Sequence, residues 1–257
     1  MLLALDIGNS DTTIGLWSGS NWSHTWRAPT RPGQPGLYYG IKLRDYFFEA
    51  NIDTSNIRSI VLCSVVPVLT EKMVGVIETL WGKKPIVLGP AIYEKLAVKV
   101  LNPYEIGADL VSNSVAAYGH YKGTCIVVDF GTALTFTTIS STGKIIGVSI
   151  APGLRTAIKS LTQNTARLFD VPLQMPPSVL GNSTITAIQS GVLHGYNGLV
   201  RAMVRDIRAE IQEECPAMAT GGLSSAIAPL HGFFDLVDPH LTLNGLRIVG
   251  ETMEGNG

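Results

Sequence analysis

The sequence is poor in charge and in long apolar runs, and each scarcity excludes a class of protein. Charged residues make up only 15% and the net charge is −1, so no broad electrostatic field favours nucleic acid or an anionic membrane surface. No apolar run approaches the roughly 20 residues of a membrane span, and the N-terminus lacks a secretory signal pattern. We therefore expect a cytoplasmic protein with no nucleic-acid or membrane partner.

Cysteine is also scarce. The three thiols, Cys63, Cys125 and Cys215, are odd in number, widely spaced and set in apolar contexts, which indicates reduced structural cysteines. No Cys/His pair has the spacing of zinc ligands. Hydrophobic residues, by contrast, reach 46% of the 257 residues, which is typical of buried parallel or mixed sheets. A chain of this length can divide into two domains.

The first stretch, 2–17, combines a strand, a tight turn and a second strand. The apolar run 2–5 predicts a buried strand, and 12–17 predicts a strand that runs back. Gly8 permits close approach of the backbone to a ligand, and successive N–H groups in such a turn can form an anion-binding nest. Asp6, at the end of the strand, faces the same place. A carboxylate beside a phosphate implies a bridging cation, usually the Mg²⁺ of a nucleotide.

The same pattern returns at 126–139, where an apolar strand ends in Asp129 and Gly131, followed by Thr132 and Thr135. The two aspartates, Asp6 and Asp129, are 123 positions apart, close to half of the chain. One Asp-x-Gly is commonly only a hairpin turn. Two copies after buried strands predict a duplicated unit, with two similar halves facing one cleft.

Between these motifs, strands and helices alternate, which predicts helices on the faces of a partly parallel sheet. Helices are predicted at 37–50 and 70–81, and one long helix or two at 184–214. The segment 28–36, with three prolines and two glycines, is either a mobile lid or a plain surface connection, and we favour the connection. The predicted core positions are Ile41, Leu43, Tyr46 and Phe47 in the helix at 37–50. In the helical segment 184–214 they are Ile188, Val192, Leu199 and Met203.

A further helix is predicted to open at Gly107. Asp109 falls in its first turn, where the helix dipole favours a carboxylate, so spacing alone is consistent with a simple helix-start residue.

The motifs, taken in order, resemble the type III pantothenate kinases, small members of the sugar kinase, Hsp70 and actin superfamily. The resemblance covers essentially the whole chain, although each motif is weak alone. It is carried by Asp6-Ile7-Gly8-Asn9-Ser10, Ser64-Val65-Val66-Pro67, Asn102-Pro103 with Gly107-Ala108-Asp109, Asp129-Phe130-Gly131-Thr132-Ala133, Ala151-Pro152-Gly153, Ala187-Ile188-Gln189-Ser190-Gly191, Thr220-Gly221-Gly222 and Leu241-Thr242-Leu243-Asn244-Gly245-Leu246.

The resemblance implies an α/β fold of two duplicated RNase H-like domains, the actin-like ATPase fold, around a nucleotide cleft. We place the domains at 1–116 and 117–257. The implied activity is ATP-dependent phosphorylation of pantothenate to 4′-phosphopantothenate, the first step of coenzyme A biosynthesis. The implied cofactors are ATP, Mg²⁺ and a monovalent cation, K⁺ or NH₄⁺, and the implied assembly is a homodimer.

Residue roles follow from the same resemblance. Asp109 becomes the catalytic base, Asp129 the ligand of the monovalent cation, and Asp6 a group near the magnesium. The ATP phosphate contacts are Asp6, Ile7, Gly8, Asn9, Ser10, Asp11, Thr12, Thr13 and Thr132. The substrate contacts are Val100, Gly107, Ala108, Asp109, Leu110 and Thr184.

Two departures from the family pattern lie on the substrate side. The family usually has Arg where this chain has Leu110, and Tyr where it has Val100. An arginine offers a fork of donors to the carboxylate of pantothenate, and leucine offers none. Tyr104 or Arg155 could compensate. Two alternatives therefore stay open: a kinase-fold regulatory or binding protein without pantothenate kinase activity, and a kinase for another small hydroxylated substrate.

Overall fold

The computed structural model describes residues 1–165 and 167–255. Contacts between residues divide the chain into two compact units. The first comprises Met1–Gly119 together with the chain from Thr242 onward, and the second comprises His120–Leu241. The last segment thus groups with the first unit, whereas the domain expected at 117–257 includes it. The expected domain boundaries stay a prediction.

The first unit contains five strands. They are β1 (Leu2–Ile7), β2 (Asp11–Trp17), β3 (Trp22–Pro29), β4 (Ser59–Ser64) and β5 (Ile86–Val87). The helices of this part are α1 (Gly36–Glu49), α2 (Pro67–Trp81), α3 (Pro90–Tyr93) and α4 (Ala108–Tyr121), with a 3-10 turn at Thr54–Asn56. The sheet has the order β3-β2-β1-β4-β5, in which β1 runs antiparallel to β2 and parallel to β4.

The second unit also contains five strands. They are β6 (Cys125–Phe130), β7 (Ala133–Ile139), β8 (Ile145–Pro152), β9 (Ala217–Thr220) and β10 (Leu236–Val237). Its helices are α5 (Leu154–Gln163) and α6 (Thr184–Ile211), with a 3-10 turn at Ala228–Leu230, and α7 (Leu241–Gly255) ends the described chain. No helix within the described ranges is long and apolar enough to cross a bilayer.

The two sheets share one topology. The second has the order β10-β9-β6-β7-β8, in which β6 runs antiparallel to β7 and parallel to β9. Strand β6 therefore corresponds to β1, and β9 to β4. Asp6 and Asp129 occupy equivalent places, because Asp6 pairs with Thr13 and Cys63 while Asp129 pairs with Thr135 and Thr220. The duplication predicted from the two Asp-x-Gly motifs is confirmed.

Each unit has its own apolar core on one face of its sheet. In the first unit, alternate residues of β1, such as Leu3, Leu5 and Ile7, pack with residues of α1 and α2. In the second, Ile126, Val128 and residues of β7 pack with α5 and α6. The alternation follows from the two-residue period of a strand, which sends successive side chains to opposite faces.

One predicted core position in α1 is wrong. Ile41 is 51% exposed, and the buried residues of this helix are instead Tyr39, Gly40, Leu43 and Phe47. Residues 39, 43 and 47 are four apart and so share one face of the helix, whereas residue 41 lies about half a turn away. Leu43 and Phe47 confirm the remainder of the stripe, and Tyr46 packs at its edge.

Two element boundaries also differ from expectation. Helix α2 begins at Pro67 rather than Thr70, because proline at the first helical position loses no hydrogen bond and its φ suits the helix. Helix α6 continues unbroken through Gly195 and Gly198, so the long helix is one rather than two. Ile188 and Val192 of α6 are buried, while Leu199 and Met203 are partly buried against the same core.

Helix α7 crosses α4 at close range through Gly245. A Cβ atom on Gly245 would collide with the carbonyl oxygen of Ser112, so only glycine permits this approach. Two hydrogen bonds join the helices where they cross. The Ser112 hydroxyl donates to Thr242 O at 2.8 Å, and the Thr242 hydroxyl donates to Asn113 Oδ1 at 2.8 Å. The indole N–H of Trp22 donates to Asn244 Oδ1 at 2.8 Å. The last helix is thereby fixed to the first unit.

Candidate active site

Three segments of the first unit meet at the carboxyl ends of β1 and β4: the turn after β1, residues 65–66 after β4, and the start of α4. The Val65 N–H donates to Ile7 O at 3.0 Å. A Cβ atom on Gly107 would lie 3.6 Å from Val65 Cγ1, which places the start of α4 beside the same segment. Ligands in open α/β sheets bind outside the carboxyl ends of the strands, so this edge is the candidate site.

Asp6 lies near the end of β1 and is half-buried. Its Oδ1 accepts a hydrogen bond from the Cys63 thiol at 3.3 Å. Burial raises the pKa of the Cys63 thiol well above its usual range, and the carboxylates of Asp6 and Asp109 raise this pKa further. Both candidate site carboxylates therefore lie within electrostatic reach of one buried thiol.

Asp109 lies in the first turn of α4, as predicted. Its Oδ1 accepts a hydrogen bond from the Leu110 N–H at 2.8 Å. A Cβ atom on Gly107 would collide with this oxygen, so the glycine makes room for the carboxylate. Burial raises the pKa of Asp109 above its ordinary value, although the N–H groups of Leu110 and of Asp109 itself oppose the shift. A carboxylate with a raised pKa is better suited to accept a proton near neutral pH.

Tyr93, at the end of α3, is a neighbour that sequence reasoning did not single out. Its side chain is buried, and burial above all, with smaller electrostatic contributions from Cys63 and Asp109, raises its pKa to about 12. The phenol therefore stays protonated at neutral pH. No sequence pattern marks this position, since α3 has only four residues and follows the short strand β5.

The predicted phosphate loop, 6–13, forms a closed turn. The Gly8 N–H donates to Asp11 O at 3.0 Å, so this amide closes the turn instead of joining the expected anion nest. Asn9 and Ser10 are exposed at its tip. The Asn9 N–H donates to no group among the described residues, which leaves it for a ligand.

Several predicted phosphate contacts point elsewhere in this unit. Ile7 is fully buried in the core, so only its backbone is available to a ligand. Thr12 is 1% exposed, and its hydroxyl lies 3.1 Å from that of Thr30. Asp11 forms a long ion pair with Arg27 at 3.9 Å, and Thr13 is half-buried. The turn therefore exposes its tip, Asn9 and Ser10, more than the other residues of 6–13.

The proline-rich segment 28–36 braces this turn. The Thr30 N–H donates to Ser10 O at 2.9 Å, and the Tyr39 hydroxyl bonds both the N–H and the carbonyl of Arg31, at 2.9 and 2.8 Å. Lys72 Nζ donates to Pro32 O at 2.7 Å and to Gln34 O at 3.0 Å. These ties favour the plain connection over the mobile lid.

The predicted substrate-side residues of the first unit are mostly interior. Ala108 and Leu110 are each 8% exposed, Gly107 is half-buried, and Val100 is half-buried in the segment between α3 and α4. Leu110 thus contributes an apolar side chain to the interior where the family usually has a guanidinium. Tyr104, suggested as a compensating group, is 89% exposed.

In the second unit, Asp129 is the penultimate residue of its strand, as Asp6 is in the first. The Gly131 N–H closes the following turn by donating to Ala133 O at 3.0 Å. Gly221 has φ +92°, and a Cβ there would lie 2.6 Å from Asp129 Oδ1, so glycine is required beside this carboxylate. In the sequence, Thr220-Gly221-Gly222 is marked only as one of the motifs that carry the family resemblance.

Thr132 is exposed, and its backbone is held at the start of α5. Its carbonyl accepts from the Gly153 N–H at 3.0 Å and from the Thr156 hydroxyl at 2.6 Å. Thr184, at the start of α6, lines a separate, mostly apolar cavity of about 390 Å³. The other lining residues are Leu161, Leu168, Ala187, Ile188, Gly191 and Val192.

The donor set at the first site suits a magnesium ion carried by a nucleotide. No group of three or more His, Cys, Asp or Glu side chains that could hold a metal occurs among residues 1–165 and 167–255. Mg²⁺ on nucleotides is usually held by one or two carboxylates, phosphates and water, without an all-protein cage. Asp6 supplies one such carboxylate.

Comparison with known proteins identifies the family. A model of the family described as "Type III pantothenate kinase" matches residues 2–206. The chain belongs to the type III pantothenate kinase family. A type III pantothenate kinase from Moorella thermoacetica is 39% identical over 251 residues, covering 98% of this chain and 99% of the relative. One from Anaeromyxobacter sp. (strain K) is 38% identical over 251 residues, with the same coverage of both chains.

A solved structure supports the fold. The activator of the 2-hydroxyisocaproyl-CoA dehydratase from Clostridium difficile, with bound ADPNP, superposes with a TM-score of 0.53 at 11% identity, covering 99% of this chain and 96% of that one. At this identity the likeness concerns the fold alone. The chain therefore has the duplicated α/β nucleotide-binding fold that its sequence predicted.

Proposed function

We propose that this chain transfers the γ-phosphoryl group of ATP to the terminal hydroxyl of pantothenate, the first step of coenzyme A biosynthesis. The observation that carries the proposal is Asp109, a carboxylate of raised pKa at the start of α4, beside the carboxyl ends of β1 and β4. Family membership supplies the reaction. The three buried, unpaired thiols support a reducing compartment, the cytoplasm.

Asp109 acts as the general base. It accepts the proton of the attacking hydroxyl, and its carboxylate is held for this role by the Leu110 N–H. Phosphoryl transfer otherwise depends on alignment and on neutralising charge, since the transition state spreads charge over the phosphoryl oxygens. The closed turn at 8–11 provides the rigid support for that alignment, because the segment 28–36 fixes it from outside.

Each unit offers its own proposed nucleotide contacts. In the first unit they are Asp6 and the exposed tip of the turn at Asn9 and Ser10, and in the second unit the proposed contact is the exposed Thr132. Asp6 would hold Mg²⁺, which offsets phosphate charge when bound. Asp129 would hold the monovalent cation, K⁺ or NH₄⁺. Its equivalence with Asp6 in the repeated topology supports an ionic role for it.

The substrate side differs from the family pattern. Val100, Gly107, Ala108, Leu110 and Thr184 are the proposed contacts, yet Leu110 is buried and cannot pair with a carboxylate. This observation favours one second candidate: a kinase of the same mechanism that accepts a small alcohol without a carboxylate.

A homodimer is part of the proposal. Strand β8 is an edge strand whose alternate residues Ile146, Val148 and Ile150 are 41%, 37% and 70% exposed. Ile185, near the start of α6, is a further exposed apolar side chain. An exposed apolar edge of this kind is commonly covered by a partner. Light scattering at micromolar concentration tests this, and a monomer contradicts it.

The central experiment is a coupled assay with ATP, Mg²⁺, K⁺ and pantothenate, run in parallel with pantetheine and with simple diols. Turnover of pantothenate at millimolar concentration supports the first candidate. Turnover of only the uncharged alcohols favours the second. No turnover of any substrate by folded protein that still binds MgADP contradicts both, and leaves a kinase-fold binding protein.

A further inference from the structure

We propose that Cys63 is a positioning residue for the Asp6 carboxylate, which its thiol holds in one orientation toward the magnesium-bound nucleotide. The inference rests on the proposed function in that Asp6 is taken as the carboxylate near Mg²⁺. The sequence alone indicates only a reduced structural thiol at this position.

The contact itself is specific. The Cys63 thiol donates to Asp6 Oδ1 at 3.3 Å, which lies within the range for a sulfur donor. Cys63 and Asp6 are directly opposed in the parallel pair β1–β4, so the backbone fixes both Cα atoms. Cys63 is 0% exposed, and a buried side chain of two heavy-atom positions has little freedom to turn elsewhere. The thiol therefore restricts the rotation of the carboxylate.

The chemistry of the strand makes this position unusual. The three residues of β4 that precede Cys63, namely Ile60, Val61 and Leu62, are purely apolar and are between 0% and 3% exposed. An apolar residue at 63 would satisfy packing equally well. Between the serines at its two ends, Ser59 and Ser64, the strand carries a side chain with a transferable proton only at Cys63, opposite the carboxylate.

The internal duplication repeats the register of this pair. In the second unit, Thr220 occupies the register position of Cys63, directly opposite Asp129. Thr220 is 2% exposed and follows the buried residues Ala217, Met218 and Ala219 of β9. Both halves thus place a small buried residue with an S–H or O–H group across from the aspartate of Asp-x-Gly. Because this pairing occurs in both units, we infer that the aspartate, rather than the packing of the strand, requires the S–H or O–H group.

The matched variants are Cys63→Thr and Cys63→Val, which have nearly the same shape and differ in the hydroxyl. Cys63→Ser and Cys63→Ala form a second, smaller pair for the case in which a β-branched residue overpacks the site. Cys125, which is also 0% exposed and lies in β6, provides the control pair Cys125→Ser and Cys125→Ala. Its pKa, raised to about 12, responds to burial and to Cys215, with no carboxylate among the causes.

The readout is calorimetric binding of ADP with and without Mg²⁺, together with the Mg²⁺ dependence of turnover. We expect Cys63→Val and Cys63→Ala to weaken MgADP binding about 3- to 10-fold, in the range of a typical lost hydrogen bond, since a thiol is a weak donor. Metal-free ADP binding should change less than twofold. Cys63→Thr and Cys63→Ser should remain within about twofold of wild type, and both Cys125 variants should bind MgADP normally.

Equal MgADP affinity within each Cys63 pair would overturn the proposal, whether both variants bind well or both bind poorly, because the donor would then be irrelevant. Weaker MgADP binding by the Cys125 variants as well would show that the loss reflects general destabilisation of the protein. This result would also overturn the proposal. The binding arms contain no pantothenate. Failure of wild type to phosphorylate pantothenate therefore refutes the proposed reaction without touching this inference.

Discussion

Replacing Asp109 with asparagine separates a catalytic base from a helix-start residue. Asparagine keeps the shape of the side chain, and its Oδ1 can still accept the hydrogen bond that the Leu110 N–H donates at 2.8 Å. It cannot take a proton at neutral pH. General-base catalysis contributes about 10²- to 10⁴-fold, which corresponds to about 2.7 to 5.5 kcal/mol of transition-state free energy. We expect kcat to fall by that factor.

The same variant should lose activity without losing stability. Burial raises the pKa of Asp109 in the folded state, so ionising this carboxyl opposes folding. Its contribution to the free energy of unfolding is fully present below the unfolded pKa of about 3.9 and is lost as pH rises through the folded value. At about pH 7 the wild type carries this penalty and the asparagine variant does not. The thermal midpoint of Asp109→Asn should therefore equal or exceed that of wild type.

The assay is kcat with ATP and pantothenate, paired with thermal unfolding and MgADP binding on the same samples. Unchanged MgADP affinity shows that the nucleotide site is intact. The result that refutes the reasoning is turnover within about threefold of wild type, because the proton would then go elsewhere. A midpoint several degrees lower, with kcat retained, would identify Asp109 as a helix-start residue whose charge stabilises the dipole.

Three further predictions follow from named contacts. The acid limb of kcat/KM should have a pKa above the ordinary aspartate value of about 3.9, since protonation of Asp109 removes the base; a flat profile down to about pH 4 contradicts this. Gly245→Ala should cost about 1–3 kcal/mol in urea unfolding through its collision with Ser112 O, while the control Gly198→Ala, in open space, should be neutral or stabilising; equal effects contradict the crossing. Asp129→Asn should abolish activation by KCl, and retained activation would exclude Asp129 as the cation ligand.

Much of the fold could be predicted because its signals are local. The turn chemistry after two buried strands marked both halves, and regular helical spacing located α1, α2 and α6. The misplaced residue Ile41 shows the limit, since a hydrophobic residue in a helix can lie on either face and only packing decides. The tie between the proline-rich segment and the phosphate turn was likewise invisible, because it depends on Lys72 and Tyr39 reaching backbone atoms of that segment.

Site residues that belong to a sequence motif could be predicted. Those that matter through the pairing of neighbouring strands could not. Asp6, Asp109 and Asp129 follow from turn and helix-start chemistry together with the family resemblance. Cys63 and Gly221 matter through the residues opposite or beside them, and no sequence pattern states which residues of two strands face each other. The predicted anion nest also overestimated the number of N–H groups that the turn leaves for a ligand, since the Gly8 N–H donates to Asp11 O and closes the turn.

The fixing of α7 against α4 has a consequence for how the polypeptide is made. During synthesis, residues 1–119 leave the ribosome long before residues 242–255 do. The first unit therefore lacks helix α7 while the whole of the second unit is synthesised. The surface of α4 around Ser112 and Asn113, and the indole of Trp22, remain uncovered during that interval. Truncating the chain before Leu241 would thus destabilise the first unit rather than the second.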